Sequence, residues 1–452
     1  MQLAGYGGKG DLSPDLSTEN VEKYTARSGG ATLHQGGAAL PVIHSRSATV
    51  RDDLSLEIND PRRGDMSADI GGVEVSGHFD ERFAGTVEQF AQNFRNGDDI
   101  GASFALSKNG ELLVDIWAGH LDEDKQRPWK EDTIVNVYSS TKTVSFLCAL
   151  VLADRGLLDF DEPVATYWPE FAQSGKDKVL VWHLMNHASG LSGLDVPVTS
   201  EDMYDLEKMT GLLAAQAPWW EPGSATGYHA LTQGYLIGEV VRRITGKTLG
   251  KFMREELASP LGADFFIGVP ESEFDRIGHL FVPPGTNENN LAVNDDPNSI
   301  AYRTFSNPAP VAEDSWTSGW KKAEIPAANG HGNARSLVRL QTPLACGGSA
   351  FGVDLMSEKT ARSVMQPRID GHDLCLNVPI TFGLGYGLNR GPIPISPNEN
   401  ACFWGGWGGS SVLVDQDARV AMSFVMNKMF PGLLGDTRSF LIRQKAYEDL
   451  DR

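Results

Sequence analysis

The sequence predicts an α+β protein: an antiparallel sheet flanked by helices, with a helical lobe inserted between the two stretches that build the sheet. Two hairpins and the region between them predict it. Residues 102–106 and 112–117 are apolar runs separated by Lys108-Asn109-Gly110, and Asn-Gly between two such runs marks a hairpin. A second hairpin reads from residues 411–414, a turn at Asp415-Gln416-Asp417, and residues 420–426. Between the two lie mainly helical patterns. Strands joined by tight hairpins argue against a doubly wound parallel sheet.

Residues 1–75 differ from the rest. They are rich in Gly, Ser, Asp and Ala, and their apolar residues are sparse: Val42-Ile43 is a short pair, and Leu54, Leu56 and Ile58 alternate with polar residues. They read as an N-terminal extension, either laid over the body or a partner copy, or disordered. The rest divides into an α/β lobe from residues 76–138 and 335–452 and a mainly helical lobe from 139–334, with the active site between them. Helical spacing runs over 79–94. A buried helix follows from 139, carries Val144, Phe146, Leu147 and Leu150, and stops at Gly156. A short apolar segment at 178–187, a helix over 201–216 and an amphipathic helix over 231–245 ending at Gly246 come next. Residues 270–320, crowded with Pro, Asn and Asp, read as loop with short helices. A helix over 334–340 has Pro343 close behind, and a last helix covers 437–447.

The chain has 452 residues, enough for a two-lobed domain or two domains. Lys and Arg number 39 against 59 Asp and Glu, a net charge of −20 that disfavours electrostatic binding of nucleic acid or anionic membranes. Cys148, Cys346, Cys375 and Cys402 are scattered without a C-x-x-C pair, which excludes a disulfide framework or zinc knuckle as the expectation. No apolar run of about 20 residues and no basic-then-apolar leader is present, so a cytoplasmic protein is expected. Homo-oligomerisation is compatible with all of this.

Chemistry enters at Ser139-Ser140-Thr141-Lys142. Positions i and i+3 share a helix face, so Lys142 falls beside the Ser139 hydroxyl. Burial and the positive helix N-terminus both favour a neutral lysine, which can accept a serine proton. The same spacing in a capped core helix has no chemical meaning, and it recurs at Ser318-Gly319-Trp320-Lys321, where Gly319 and Pro326 spoil the helical context. No G-x-S-x-G elbow and no phosphate-binding P-loop occurs. His183-Leu184-Met185-Asn186-His187 has the spacing of a zinc helix but no glutamate at its second position, so no metal is expected.

Three further pieces follow in order: Leu184-Met185-Asn186-His187-Ala188-Ser189-Gly190-Leu191, Tyr228-His229-Ala230 and Trp404-Gly405-Gly406. With Ser139-x-x-Lys142 they resemble the serine β-lactamase and penicillin-binding-protein superfamily over roughly residues 77–430, with the class C β-lactamases and the family VIII carboxylesterases as the nearest look. The resemblance implies a β-lactamase/transpeptidase-like fold. It also implies Ser139 as nucleophile, Lys142 and Tyr228 as proton carriers, and the backbone N–H groups of Ser139 and Trp407 as oxyanion donors. The family's Y-x-N asparagine is Ala230 here, and its K-T-G lysine is Trp404. Loss of that amide and that cation shifts the expectation from β-lactams to esters. Trp404, Gly405, Gly406, Asp195 and His331 are the expected substrate-binding residues. Trp404 would offer an apolar surface, and the glycines would let substrate approach the strand. The expected activity is hydrolysis of small, short-chain esters through an acyl-enzyme, without metal or organic cofactor. The alternatives are a β-lactamase or DD-peptidase, an acyltransferase, and a non-catalytic binding protein.

Overall fold

The computed structural model describes residues 67–283, 296–392 and 394–451. The expected extension lies, up to residue 66, outside the described residues. Its last part is strand: β1 (Ala68–Ile70) and β2 (Val73–Phe79) open the sheet. They are followed by β3 (Gly101–Lys108), β4 (Glu111–Gly119), β5 (Ile369–His372), β6 (Pro379–Phe382), β7 (Gly387–Leu388), β8 (Ala401–Gly405), β9 (Ser411–Asp415) and β10 (Val420–Met426). These ten form one sheet in the order β1-β2-β4-β3-β10-β9-β8-β7-β6-β5. Every neighbouring pair is antiparallel. The junction between the chain's two ends is β3 on β10, with Phe104 opposite Phe424. The hairpin turn places Asn109 and Gly110 at φ 54° and 84°, the left-handed pair that a tight Asn-Gly turn requires.

The longer helices are α1 (Ala84–Arg95), α2 (Thr141–Asp154), α3 (Leu206–Ala215), α4 (Thr232–Thr245), α5 (Ala334–Ala345) and α6 (Thr437–Leu450). Helices cover both faces of the central strands, which explains why all seven residues of β10 are buried. On one face Ser103 Oγ accepts from Ala334 N–H at 3.2 Å, and Ser107 meets Thr342 at 2.7 Å between hydroxyls, so α5 lies there. On the opposite face the Arg438 guanidinium of α6 stands 5.7 Å from the Phe424 ring centre. Helix α1 packs beside α6.

Helix α2 is buried from Thr141 through Leu152, apolar on nearly every side, because it packs against α4 and the short helices Leu249–Met253 and Glu358–Ser363 rather than facing solvent. Helix α4 ends as expected, with Gly246 at φ 70° closing it. A small second sheet sets the approach to α2. Ile134–Asn136 runs parallel to Ile277–Gly278 and antiparallel to Gly330–Gly332.

Three expected elements shift. The helix read over 79–94 begins at Ala84, since Phe79 closes β2 and Asp80 caps the turn that follows. The helix read over 201–216 divides into a turn at Asp202–Tyr204 and α3, because the Asp205 carboxylate caps Lys208 N–H at 3.0 Å and restarts the helix. Pro343 lies inside α5 rather than after it.

Candidate active site

Ser139 sits in a single turn of 3-10 helix, Tyr138–Ser140, that runs directly into α2. The residue before it, Tyr138, is held at φ 42°, a left-handed conformation costly for an aromatic residue. Its neighbours over-determine that geometry. Val137 N–H donates to Gly330 O (2.8 Å), Ser410 Oγ donates to Val137 O (2.8 Å), and Ser140 Oγ meets Ser410 Oγ at 2.8 Å. The Tyr138 ring packs against Trp407 with 5.0 Å between centres.

One helical turn on, Lys142 is fully buried. Its Nζ donates to the backbone carbonyls of Ala230 (2.7 Å) and Ala327 (2.9 Å) and lies within hydrogen-bond distance of Ser139 Oγ, at 3.2 Å. Burial drives its pKa well below the ordinary lysine value, towards the neutral amine. The Tyr228 hydroxyl donates to the same Ser139 Oγ, and Lys142 Nζ stands 4.7 Å from the Tyr228 ring centre. Burial pushes the Tyr228 phenol above its usual value; its bond to Ser139 and the nearby Trp404 indole pull the other way, and Asp373 adds to the rise. Ser139, Lys142 and Tyr228, 89 residues apart at the extremes, thus meet at one oxygen.

The Tyr228 loop is pinned from two sides. Asp373 Oδ1 accepts the N–H groups of Tyr228 (3.0 Å), Cys375 (2.9 Å) and Leu376 (2.9 Å). His187 Nδ1 accepts the N–H of His229 at 3.0 Å. His229 Nδ1–H donates to Gly227 O at 2.6 Å, which leaves Nε2 to accept from Ser189 Oγ (2.7 Å) and Leu191 N–H (3.3 Å). The imidazoles are therefore neutral scaffolding. Burial takes His229 down to about 3, and burial, His229 and Lys142 together hold His187 well below the usual histidine range. This is the physical role of the 184–191 signature, and no metal-binding cluster of His, Cys, Asp or Glu occurs among the described residues.

The third motif lies on the backbone beside Ser139. A Cβ at Gly406 would collide with Val137 O and Ser410 Oγ and stand 3.1 Å from Ser139 N; one at Gly405 would strike the backbone of Leu434 and Gly435. These glycines permit close backbone-on-backbone packing beside the nucleophile. Trp404 is fully buried and offers no surface to a ligand. It stacks on His187 at 5.6 Å and 27°, lies 5.6 Å from Tyr228, and joins a cluster with Phe305, Phe382 and Leu376. Its indole N–H finds no well-formed acceptor. The Trp407 N–H donates to no backbone or side-chain acceptor among the described residues.

Above Ser139 opens a cleft of about 570 Å³, mouth included. Tyr138, Phe305, Trp320 and Trp407 wall it, with Pro308 and Pro310 at one side, and Asp314 is the one charged side chain among its described lining residues. Two expected contacts are not brought there. His331 is buried in the small sheet, donates from Nδ1 to Asn329 O at 2.8 Å, and points no partner at its Nε2. Asp195 is an exposed residue paired with Arg303 at 2.6 Å and with Trp219 Nε1 at 2.9 Å. The second serine–lysine pair is also elsewhere: Lys321 Nζ rests 5.2 Å from the Phe274 ring centre. Asp373 and Asp314 have no signal in the sequence, since neither belongs to a local motif.

Residues 90–447 match the Beta-lactamase family. Esterase/beta-lactamase LipL of Mycobacterium tuberculosis is 34% identical over 389 residues, covering 83% of this chain and 89% of that protein. Esterase EstB of Burkholderia gladioli is 31% identical over 191 residues, 38% of this chain and 48% of that protein. A crystal structure of a family VIII carboxylesterase superposes with a TM-score of 0.78 at 37% identity, covering 83% of this chain and all of that one. A penicillin-binding-protein homologue from Caulobacter crescentus superposes equally well, again at 37% identity and with the same coverage. Both share the fold of this chain, and the chain belongs to the β-lactamase family, as a hydrolase of the serine β-lactamase superfamily.

Proposed function

We propose that the protein is a serine carboxylesterase acting on small esters through an acyl-enzyme. Ser139 Oγ attacks the ester carbonyl carbon, and its proton passes to the Lys142–Tyr228 pair. The oxyanion accepts from the N–H groups of Ser139 and Trp407. On collapse the carbonyl re-forms, the C–O bond to the alcohol breaks, and Tyr228 returns the proton to the departing alkoxide. Water then attacks the acyl-enzyme with the same pair as base, releasing the acid and restoring Ser139.

The observation that carries this reading is the make-up of the cleft, which is apolar and aromatic and whose described lining holds no cationic side chain. A β-lactam or a peptidoglycan stem peptide presents a carboxylate that asks for a cation. A neutral ester does not. Esterase is also the word shared by the names of LipL and EstB, and the family VIII carboxylesterase is alike in fold and sequence. The name of LipL carries β-lactamase as well, which keeps β-lactam hydrolysis as a second activity of the same serine.

The test compares kcat/KM for p-nitrophenyl butyrate with that for a chromogenic cephalosporin, using the intact protein and Ser139→Ala. Ester turnover well above cephalosporin turnover, abolished in Ser139→Ala, is expected. Faster cephalosporin hydrolysis would overturn the esterase assignment. Added short alcohol that diverts product from free acid to new ester would reassign the site to acyl transfer.

A further inference from the structure

The cleft walls carry a chemistry that hydrolysis of a neutral ester does not need. Tyr138, Trp320 and Trp407 meet there as an angled set of rings, with centres 5.0 Å apart for Tyr138 and Trp407 and 6.2 Å for Tyr138 and Trp320. Each ring is fixed. Trp320 Nε1 donates to Asn136 Oδ1 at 3.1 Å, and the Tyr138 hydroxyl donates to Ala312 O at 3.4 Å. Asp314 lines the same cleft, with the Ser200 hydroxyl donating to its Oδ2 at 2.7 Å. No lysine or arginine pairs with it among the described residues. Its charge is felt by the wall: Asp314 and Glu313 add to the burial that raises the Tyr138 phenol. The amine nearest the nucleophile, Lys142, is held towards neutrality and does not cancel that field.

Aromatic faces and a carboxylate attract the same thing. A cation over a ring face is attracted by the ring's negative quadrupole, and methylated ammonium groups favour such cages because they are weakly hydrated. We propose that the aromatic wall and Asp314 bind a methylated ammonium group carried by the ester substrate. The inference rests on the carboxylesterase reading and narrows its substrate class from small esters to cationic ones. An anionic substrate meets uncompensated like charge in the same space.

The test uses a set of p-nitrophenyl esters of matched shape: 4-(trimethylammonio)butyrate, its neutral isostere 5,5-dimethylhexanoate, and the anionic glutarate half-ester. For the native protein kcat/KM is expected to run cationic above neutral above anionic, with the first step about three- to tenfold. Asp314→Asn keeps the Ser200 contact and removes the charge; it is expected to compress the cationic-to-neutral ratio by about threefold or more. Tetramethylammonium chloride should inhibit turnover of the neutral ester competitively where sodium chloride of equal ionic strength does not, a readout that needs no variant. A cationic-to-neutral ratio of one or less in the native protein would overturn the inference. So would an unchanged ratio in Asp314→Asn, or equal effects of the two salts. Turnover of none of the three esters would instead refute the carboxylesterase reading.

Discussion

Lys142 Nζ lies 3.2 Å from Ser139 Oγ, and its other two hydrogen bonds go to backbone carbonyls, those of Ala230 and Ala327. All three partners are uncharged. An ammonium so placed has lost its hydration without gaining a counter-ion, which is why burial alone drives the lysine towards its neutral form. The neutral amine is the one able to take a proton. The acid limb of kcat/KM against pH is therefore expected to have its midpoint well below the ordinary lysine value of 10.5. Lys142→Met keeps the shape and removes the base. It should lower kcat/KM by about 10²–10⁴ and abolish that limb. A limb that survives in Lys142→Met would assign the titration to another group.

Tyr228 touches the same oxygen from the other side, and burial keeps its phenol protonated at rest. Its ring is also structural, lying 4.9 Å from His187 and 5.6 Å from Trp404. Tyr228→Phe separates the two roles. The ring contacts persist and one hydrogen bond is lost, worth about 1 kcal/mol of stability. Activity should fall by about 10²–10⁴ while the thermal midpoint moves by only a few degrees. Full activity in Tyr228→Phe would remove the phenol from the proton path.

These three residues were legible in the sequence because their chemistry is tied to local spacing: one helical turn for Ser139 and Lys142, a short loop motif for Tyr228. The antiparallel sheet was legible because Asn109-Gly110 admits few backbone conformations. Trp404 was misread because an apolar residue on a short strand does not announce which face it takes, and its face turned to His187 and Phe382 rather than to the cleft. His331 was misread for a similar reason. Gly330–Gly332 is a three-residue strand, too short for alternation to show, and glycines on either side look like a loop. Asp373 was invisible, since it acts on a backbone N–H 145 residues away.

Asp373 is expected to be worth more than its distance from Ser139 suggests. Its Oδ1 is the acceptor for three backbone N–H groups in a buried place. Asp373→Ala leaves all three without that partner, at about 1–3 kcal/mol for each group that water does not reach. Unfolding in urea should show a loss of several kcal/mol, with kcat reduced because Tyr228 loses its anchor. Asp373→Asn retains an oxygen at the same position and should recover most of both losses. Equal damage from Ala and Asn would mean that the charge, not the acceptor, is what matters.

Gly406 has no room for a side chain. A Cβ there meets the Val137 carbonyl, the Ser410 hydroxyl and, at 3.1 Å, the Ser139 N–H. All three set the strained turn that carries the nucleophile. Gly406→Ala is expected to lower kcat by more than tenfold through displacement of Ser139 from Lys142 and Tyr228, while KM for a neutral ester changes little. An alanine variant with native kcat would show that the strand yields without moving the nucleophile.

Acid should destabilise the fold from the inside. His187, His229 and His331 are fully buried, and each has its pKa lowered chiefly by that burial: His229 to about 3, His331 to about 4 and His187 well below 6.5. Once unfolded, each titrates near 6.5, so below that pH the unfolded chain binds protons that the folded one does not. Each histidine then removes about 1.4 kcal/mol of stability per pH unit until its folded pKa is reached. Asp99 works against them. Burial raises it to about 6, so the folded chain binds its proton first, and stability from this group grows as the pH falls from 6 towards 4. His183, brought to about 4 by burial, joins the three histidines, and Glu324, raised by burial, joins Asp99, so the histidines outnumber the carboxyls and stability falls as the pH drops from about 6 towards 4. The urea midpoint should fall steeply across that window. His331→Gln, which removes one titrating group, should make the slope shallower. A slope equal to the native one in that variant would show that His331 does not take part.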